Sequence, residues 1–193
     1  MNGRRVLLLA AVAVAVVQIG FLVSMIAGRA AILRSGQEVV LEVLPVDPRD
    51  LLRGDYVTLD YNISRIPAAI FPEPPSAADL SSGRTVFVRL RAGEDGVWKP
   101  VAARFDRKPE PEPGDGEVDI RGSSRPVSYR EAVTLDIRYG IERFYVPEGE
   151  GKAIESDLRQ RSFRMKVAVA RDGSAQIKSF HDGDAMLYAE PLY

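Results

Sequence analysis

Two short stretches concentrate the residue types that do chemistry. "DPRDLLRGDYVTLDY", residues 47–61, places Asp47, Arg49, Asp50, Arg53, Asp55, Tyr56 and Tyr61 within one loop and the strand that follows it. "RYGIERFYVPE", residues 138–148, crowds Arg138, Tyr139, Glu142, Arg143, Tyr145 and Glu148 in the same way. Asp47 with Asp50, or Glu142 with Glu148, are the carboxylate pairs that general acid–base work would require. Acid-rich turns arise far more often than such sites. Arginines among carboxylates have a second use, because the guanidinium fork binds a carboxylate through two parallel hydrogen bonds and fixes loop geometry. The expectation is therefore an ion-pair network that locks the two loops together. It would also present a polar site for an anionic group or a peptide terminus.

Covalent catalysis needs a nucleophile beside a positioned base. The chain has no cysteine, which removes thiolate chemistry, disulfides and Cys-ligated zinc. Ser64 lies just past the first stretch without a neighbouring lysine, and the five lysines (Lys99, Lys108, Lys152, Lys166, Lys178) are scattered. The one histidine, His181, sits in "HDGDA" beside Asp182 and Asp184, a spacing that matches no defined metal site and reads as a solvated turn. No Gly-rich phosphate loop is present, and a net charge of −1 gives no general attraction to nucleic acid. No metal and no cofactor are expected.

The first stretch also has a plain architectural reading. Pro48 keeps Asp47 extended, Gly54 can take a positive φ, and Asp55 can bond nearby amides, so Gly54-Asp55 reads as a turn. The alternation that follows puts Val57, Leu59, Tyr61 and Ile63 on one face of a strand, and Tyr56, Thr58, Asp60 and Asn62 on the other.

The elements that must position these stretches begin with the N-terminus. Residues 6–28, "VLLLAAVAVAVVQIGFLVSMIAG", carry no charge. As a helix they rise roughly 34 Å, enough to cross a bilayer core. A cleaved signal peptide normally has an apolar region of only about 7–15 residues, so an uncleaved anchor is the expectation. Arg4, Arg5 and the α-amino group flank one end and Arg29 and Arg34 the other, which favours a cytoplasmic N-terminus and an exported remainder. The division is thus a tip and transmembrane helix over 1–30 and an exported domain over 31–193. Only Arg4, Arg5 and Arg29 precede position 31, which leaves 23 basic against 27 acidic residues in the exported part.

Beyond "AAILRSG", where Gly36 should end the helix, the period changes to two. "EVVLEVLPV" aligns Val39, Leu41 and Val43. "TVFVRLR" places Val86, Val88 and Leu90 inward, with Arg89 and Arg91 outward. "AVTLDIRY" offers Val133, Leu135, Ile137 and Tyr139. "FRMKVAVAR" and "AQIKSF" flank Asp172-Gly173 as a hairpin, and "AMLYAEPLY" supplies a closing strand. One short helix is expected over 151–161, where Ile154 and Leu158 lie four apart. "IPAAIFPEPPSAADLSSG" and "DRKPEPEPGDGE" read as surface loops, the second solvated and extended. The fold class is mainly β: a transmembrane helix, then a small, mostly antiparallel β-sheet or barrel-like domain.

"GDYVTLDY" fits the pattern G-D-Y-x-x-L-x-Y, with Gly54, Asp55, Tyr56, Leu59 and Tyr61 at every fixed position. The chain resembles the GDYXXLXY family, and the likeness extends through "LRSGQEVVLEVLPVDPRDLLRGDYV" to "YGIERFYVPEGEGKAIE". The resemblance implies a bacterial, membrane-anchored, exported (periplasmic) domain held at the inner membrane. Such domains are sometimes associated with a multi-span membrane protein, and the resemblance implies a partner of that kind. It supplies no reaction. The functional expectation is a binding or accessory module beside another membrane component. The alternatives are a purely structural stalk and a membrane-anchored hydrolase distantly like signal peptidase. The last is weakened because the S-M-x-P nucleophile motif is missing from "LEVLPVDPRD".

Overall fold

The computed structural model describes residues 2–44, 56–76, 79, 83–125, 134–145 and 161–190. One long helix, α1 (Asn2–Ser35), leads the chain. Its apolar stretch is exposed throughout and is long and apolar enough to cross a membrane. At the helix end, Gly36 N donates to Ile32 O at 2.8 Å, which satisfies one of the carbonyls a helix end leaves open, and Ser35 Oγ donates back to Ala31 O at 2.8 Å. Among the described residues, only the last turns are buried against the rest of the protein. Ala30 and Leu33 are buried, and a Cβ on Gly36 would meet Ile32 O at 2.6 Å and the Ala168 Cβ at 3.1 Å. Gly36 is the only residue between helix and sheet, and that close approach requires its missing side chain.

The remaining described elements are antiparallel strands. They are β1 (Gln37–Leu44), β2 (Tyr56–Thr58), β3 (Asp60–Tyr61), β4 (Arg65–Pro67), β5 (Thr85–Ala92), β6 (Trp98–Phe105), β7 (Glu117–Ser124), β8 (Thr134–Arg138), β9 (Arg143–Tyr145), β10 (Phe163–Val169), β11 (Ala175–Asp182) and β12 (Ala185–Ala189). They form one five-stranded sheet in the order β12-β11-β10-β1-β3 and another in the order β4-β8-β7-β5-β6, with β2 and β9 pairing separately. The fold is therefore mostly β with a single long helix. In place of a barrel, two sheets share one hydrophobic core. The alternating residues supply it as their spacing demands: Val39, Leu41 and Val43 from β1, Val86, Val88 and Leu90 from β5, Leu135 and Ile137 from β8, and Phe163, Met165, Val167 and Val169 from β10. The hairpin at Asp172-Gly173 forms between β10 and β11, with Gly173 at φ +87°, a region that disfavours a side chain.

Three expectations need correction. Arg89 does not face solvent; it is 5% exposed, for reasons given below. "IPAAIFPEPPS" is not merely a surface loop, because it contains β4 and a 3₁₀ turn over Ala68–Ile70. Its Ile66 is fully buried, and its Phe71 stacks on Phe105 with ring centroids 5.0 Å apart. Proline masked these core residues, since β4 is a short edge strand where Pro67 is tolerated. Third, "DRKPEPEPG" is largely exposed, yet Pro109 is buried and the loop is tied to the sheet. Val133 and residues 151–160 of the expected helix lie outside the described residues.

Candidate functional site: the joined signature blocks

The two signature stretches meet in space. β2 pairs with β9 so that Tyr56 opposes Tyr145, Val57 opposes Phe144 and Thr58 opposes Arg143. The expected single strand over 56–63 breaks at Leu59, whose N–H donates to Glu142 O at 2.8 Å. The chain then leaves β9 and pairs with β1 through β3, with Tyr61 opposite Val43. A turn follows at once. Asn62 N donates to Glu42 O at 3.0 Å, Ser64 N to Tyr61 O at 2.9 Å, and Ile137 N to Ser64 O at 2.7 Å. Residues 61–64 thus begin on the edge of one sheet and end on the edge of the other. The motif builds the corner between the sheets.

Its side chains complete that corner. Leu59, Tyr61 and Ile63 are buried, as the alternation predicts. Tyr61 is wholly buried and its hydroxyl donates to Ile141 O at 2.6 Å. The Tyr139 hydroxyl returns the favour across the corner, donating to Ile63 O at 2.8 Å. These two hydroxyls each satisfy a buried carbonyl across the corner, which would otherwise be costly to desolvate. Burial pushes both phenols well above their ordinary range, and the nearby Glu142 carboxylate adds to the effect. Both stay protonated donors.

Glu142 closes a turn, and the Glu148 with which it was expected to pair lies outside the described residues. The Glu142 carboxylate accepts from Tyr139 N at 2.5 Å and Gly140 N at 3.0 Å. The neighbouring Ile141 and Phe144 are buried, and the Phe144 ring lies 5.8 Å from Phe180 and 6.2 Å from Tyr188. Arg138 and Arg143 are exposed on β8 and β9. Of the other predicted residues, Asp47, Arg49, Asp50, Arg53, Gly54, Asp55 and Glu148 lie outside the described residues, as does the pairing expected between them and the second block.

Sequence reasoning missed two residues of this corner. Asn62 stitches it: its Oδ1 accepts from Glu42 N at 3.1 Å and its Nδ2 donates to Trp98 O at 2.7 Å, linking β1 to β6. Ser64, considered above as a lone hydroxyl, accepts from Tyr61 N at 3.0 Å and is buried within the turn. An Asn or Ser just after a strand is ordinary turn chemistry, and that was the available signal.

Two further polar clusters lie elsewhere. Arg89 holds Asp119 bidentately, Nε to Oδ1 at 2.8 Å and Nη2 to Oδ2 at 3.0 Å. It also donates to Pro111 O at 2.6 Å and Pro109 O at 2.7 Å, which fastens the proline loop. The hydrogen bonds to Asp119 hold the guanidinium above its usual range. The signal was present in the spacing: Arg89-x-Arg91 on β5 faces Glu117-x-Asp119 on β7, a complementary cross-strand ladder once the register is known. His181 is likewise not in a solvated turn. It is buried on β11, with Nε2 2.7 Å from Ser179 Oγ, and burial lowers its pKa from the ordinary value. A hydroxyl beside an imidazole is the start of an activated nucleophile, but burial of both groups leaves this pair as an internal contact.

No curated protein and no solved structure matches the chain. A family model does, from the second half of the apolar helix through both joined blocks to β11. With residues 18–180 matched by the model of the GDYXXLXY protein family, the chain belongs to that family.

Proposed function

We propose that the protein is a single-pass inner-membrane protein whose exported β domain binds and assists another membrane component. The observation that supports this reading most is the junction. An apolar helix whose 6–28 stretch is exposed runs, through one glycine, into a sheet that buries its final turns at Ala30 and Leu33. A flexible tether would leave the domain free to wander, whereas this connection holds it at a fixed pose close to the bilayer. The signature corner lies at the other end of β1, about 20 Å along the strand at about 3.4 Å per residue. A multi-span protein beside the helix, with exported loops, is a partner of the right reach.

A stalk is the second reading, and the second block favours presentation over it. Its Tyr139 is internal, while Arg138 and Arg143 are exposed, where a stalk would bury every member of the block. The test is affinity capture of the full chain from membranes, comparing wild type with Arg53→Ala and Arg143→Ala and monitoring thermal melting of each. Loss of a specific co-purifying membrane protein by variants that melt like wild type supports a binding module. Variants that melt much lower without selective loss of a partner return the blocks to scaffold alone.

A further inference from the structure

The exported part of the chain is acidic overall, yet the end of the domain that adjoins the helix is basic. Three independent contacts assemble that end. First, the register fixes its position: Gln37, the residue after Gly36, opposes Val169, and Val169 opposes Ala175, so the β10–β11 turn over 170–174 lies beside the helix C-terminus. Second, Lys108 reaches this turn from the proline loop, its Nζ donating to Arg171 O at 2.5 Å. Third, β7 meets the same turn, with Arg121 N donating to Gly173 O at 2.8 Å and Arg121 Nη2 donating to Ser174 Oγ at 2.9 Å. Arg171 itself is exposed at the tip, and Arg29 and Arg34 are exposed on the last turns of the helix.

Five cationic side chains from four segments thus gather around the point where the helix enters the domain. Among the described residues, the acids at the start of β1 and in this turn are engaged. Asp172 accepts from Ser174 N at 3.0 Å and Ser174 Oγ at 2.7 Å and lies 3.8 Å from Arg121, while Glu38 is bonded to Lys178. Arginine and lysine at a juxtamembrane position are attracted to anionic headgroups, and the attraction decays within a Debye length of the surface. A basic cluster therefore acts only if something holds it against the bilayer, and the Gly36 junction does that.

We propose that this end of the domain, formed by Lys108, Arg121 and Arg171 around the β10–β11 turn together with Arg29 and Arg34, is a binding surface for the anionic headgroups of the bilayer the helix spans. The inference rests on the membrane-anchor reading above and adds to it a lipid-dependent seat for the domain. The headgroups hold the first sheet down on the bilayer and aim the signature corner away from it.

The absence of cysteine allows single labels. The full chain is labelled at Asp172→Cys in the turn, at Asp184→Cys at the far end of β11, or at Val12→Cys in mid-helix, and placed in vesicles. The vesicles are either zwitterionic or contain about 30 mol% phosphatidylglycerol. A headgroup-borne quencher reports on positions 172 and 184, and an acyl-chain quencher on position 12. The expected result is quenching at 12, and quenching at 172 that needs the anionic lipid. That quenching falls about threefold or more with Lys108→Glu plus Arg171→Glu, and equally for the unreversed chain in about 0.5 M salt, while 184 stays bright. If 12 is quenched but 172 responds alike in both vesicles, or is no more quenched than 184, the headgroup seat is overturned and the anchor stands. If 12 is not quenched, the anchor reading fails and the headgroup seat fails with it.

Discussion

The tyrosines of the joined blocks are worth more as donors than as acids. Tyr61→Phe removes a buried donor and leaves Ile141 O unsatisfied, and Tyr139→Phe does the same to Ile63 O. Each is expected to lower unfolding free energy by about 1–3 kcal/mol, read by urea unfolding of the full chain in detergent. Asp119→Ala leaves Arg89 buried without its carboxylate. It should cost about 3–5 kcal/mol in the same assay, more than either tyrosine change. His181 gives a pH signature with a definite sign. Its folded pKa is depressed by burial, so the unfolded chain binds the proton more readily and the neutral ring contributes stability above the unfolded pKa of about 6.5. That contribution is lost as pH falls from there through the lower folded value. Melting temperature should therefore drop between pH 7 and pH 5 in wild type, and the drop should be shallower in His181→Gln.

Among the elements, strands with strict alternation were legible because burial on one face leaves only one workable phase. Val39, Leu41 and Val43 illustrate it, as do the core residues of β5 and β10. Arg89 shows where that reading stops. Period two assigns a face but cannot say whether the opposite face is solvated, and here the proline loop covers it. Ile66 and Phe71 were hidden by neighbouring prolines for a related reason, since a three-residue edge strand offers too little pattern to read. The meeting of the two signature blocks was expected from their composition, but through ion pairs. Among the described residues they join by the β2–β9 ladder and by two hydroxyl-to-carbonyl bonds, contacts that depend on register and leave no charge pattern. The Gly36 junction is the element-level prediction. Gly36→Val forces a side chain against Ile32 O and Ala168, and should lower stability by about 1–3 kcal/mol. Amide exchange at residues 31–38 should rise more than exchange in β5.

At the scale of the whole molecule, an exposed apolar helix runs through a close-packed one-residue link into a two-sheet domain with its signature corner at the far end of β1. The apolar run in "VLLLAAVAVAVVQIGFLVSMIAG" was readable from length alone, whereas the close packing of the link was not. It arises from Ala30, Leu33 and Gly36 fitting against β10 and β11. The claim that the chain stays anchored by this helix, with the domain outside the cytoplasm, underlies both the binding role and the headgroup seat. It is tested most directly by intact-mass measurement of the protein extracted from alkali-washed membranes, combined with protease treatment from each side. The expected result is a full-length chain retained in the membrane, its β domain cut only from the non-cytoplasmic face. A chain released by alkali, or one whose mass lacks the helix, would contradict it.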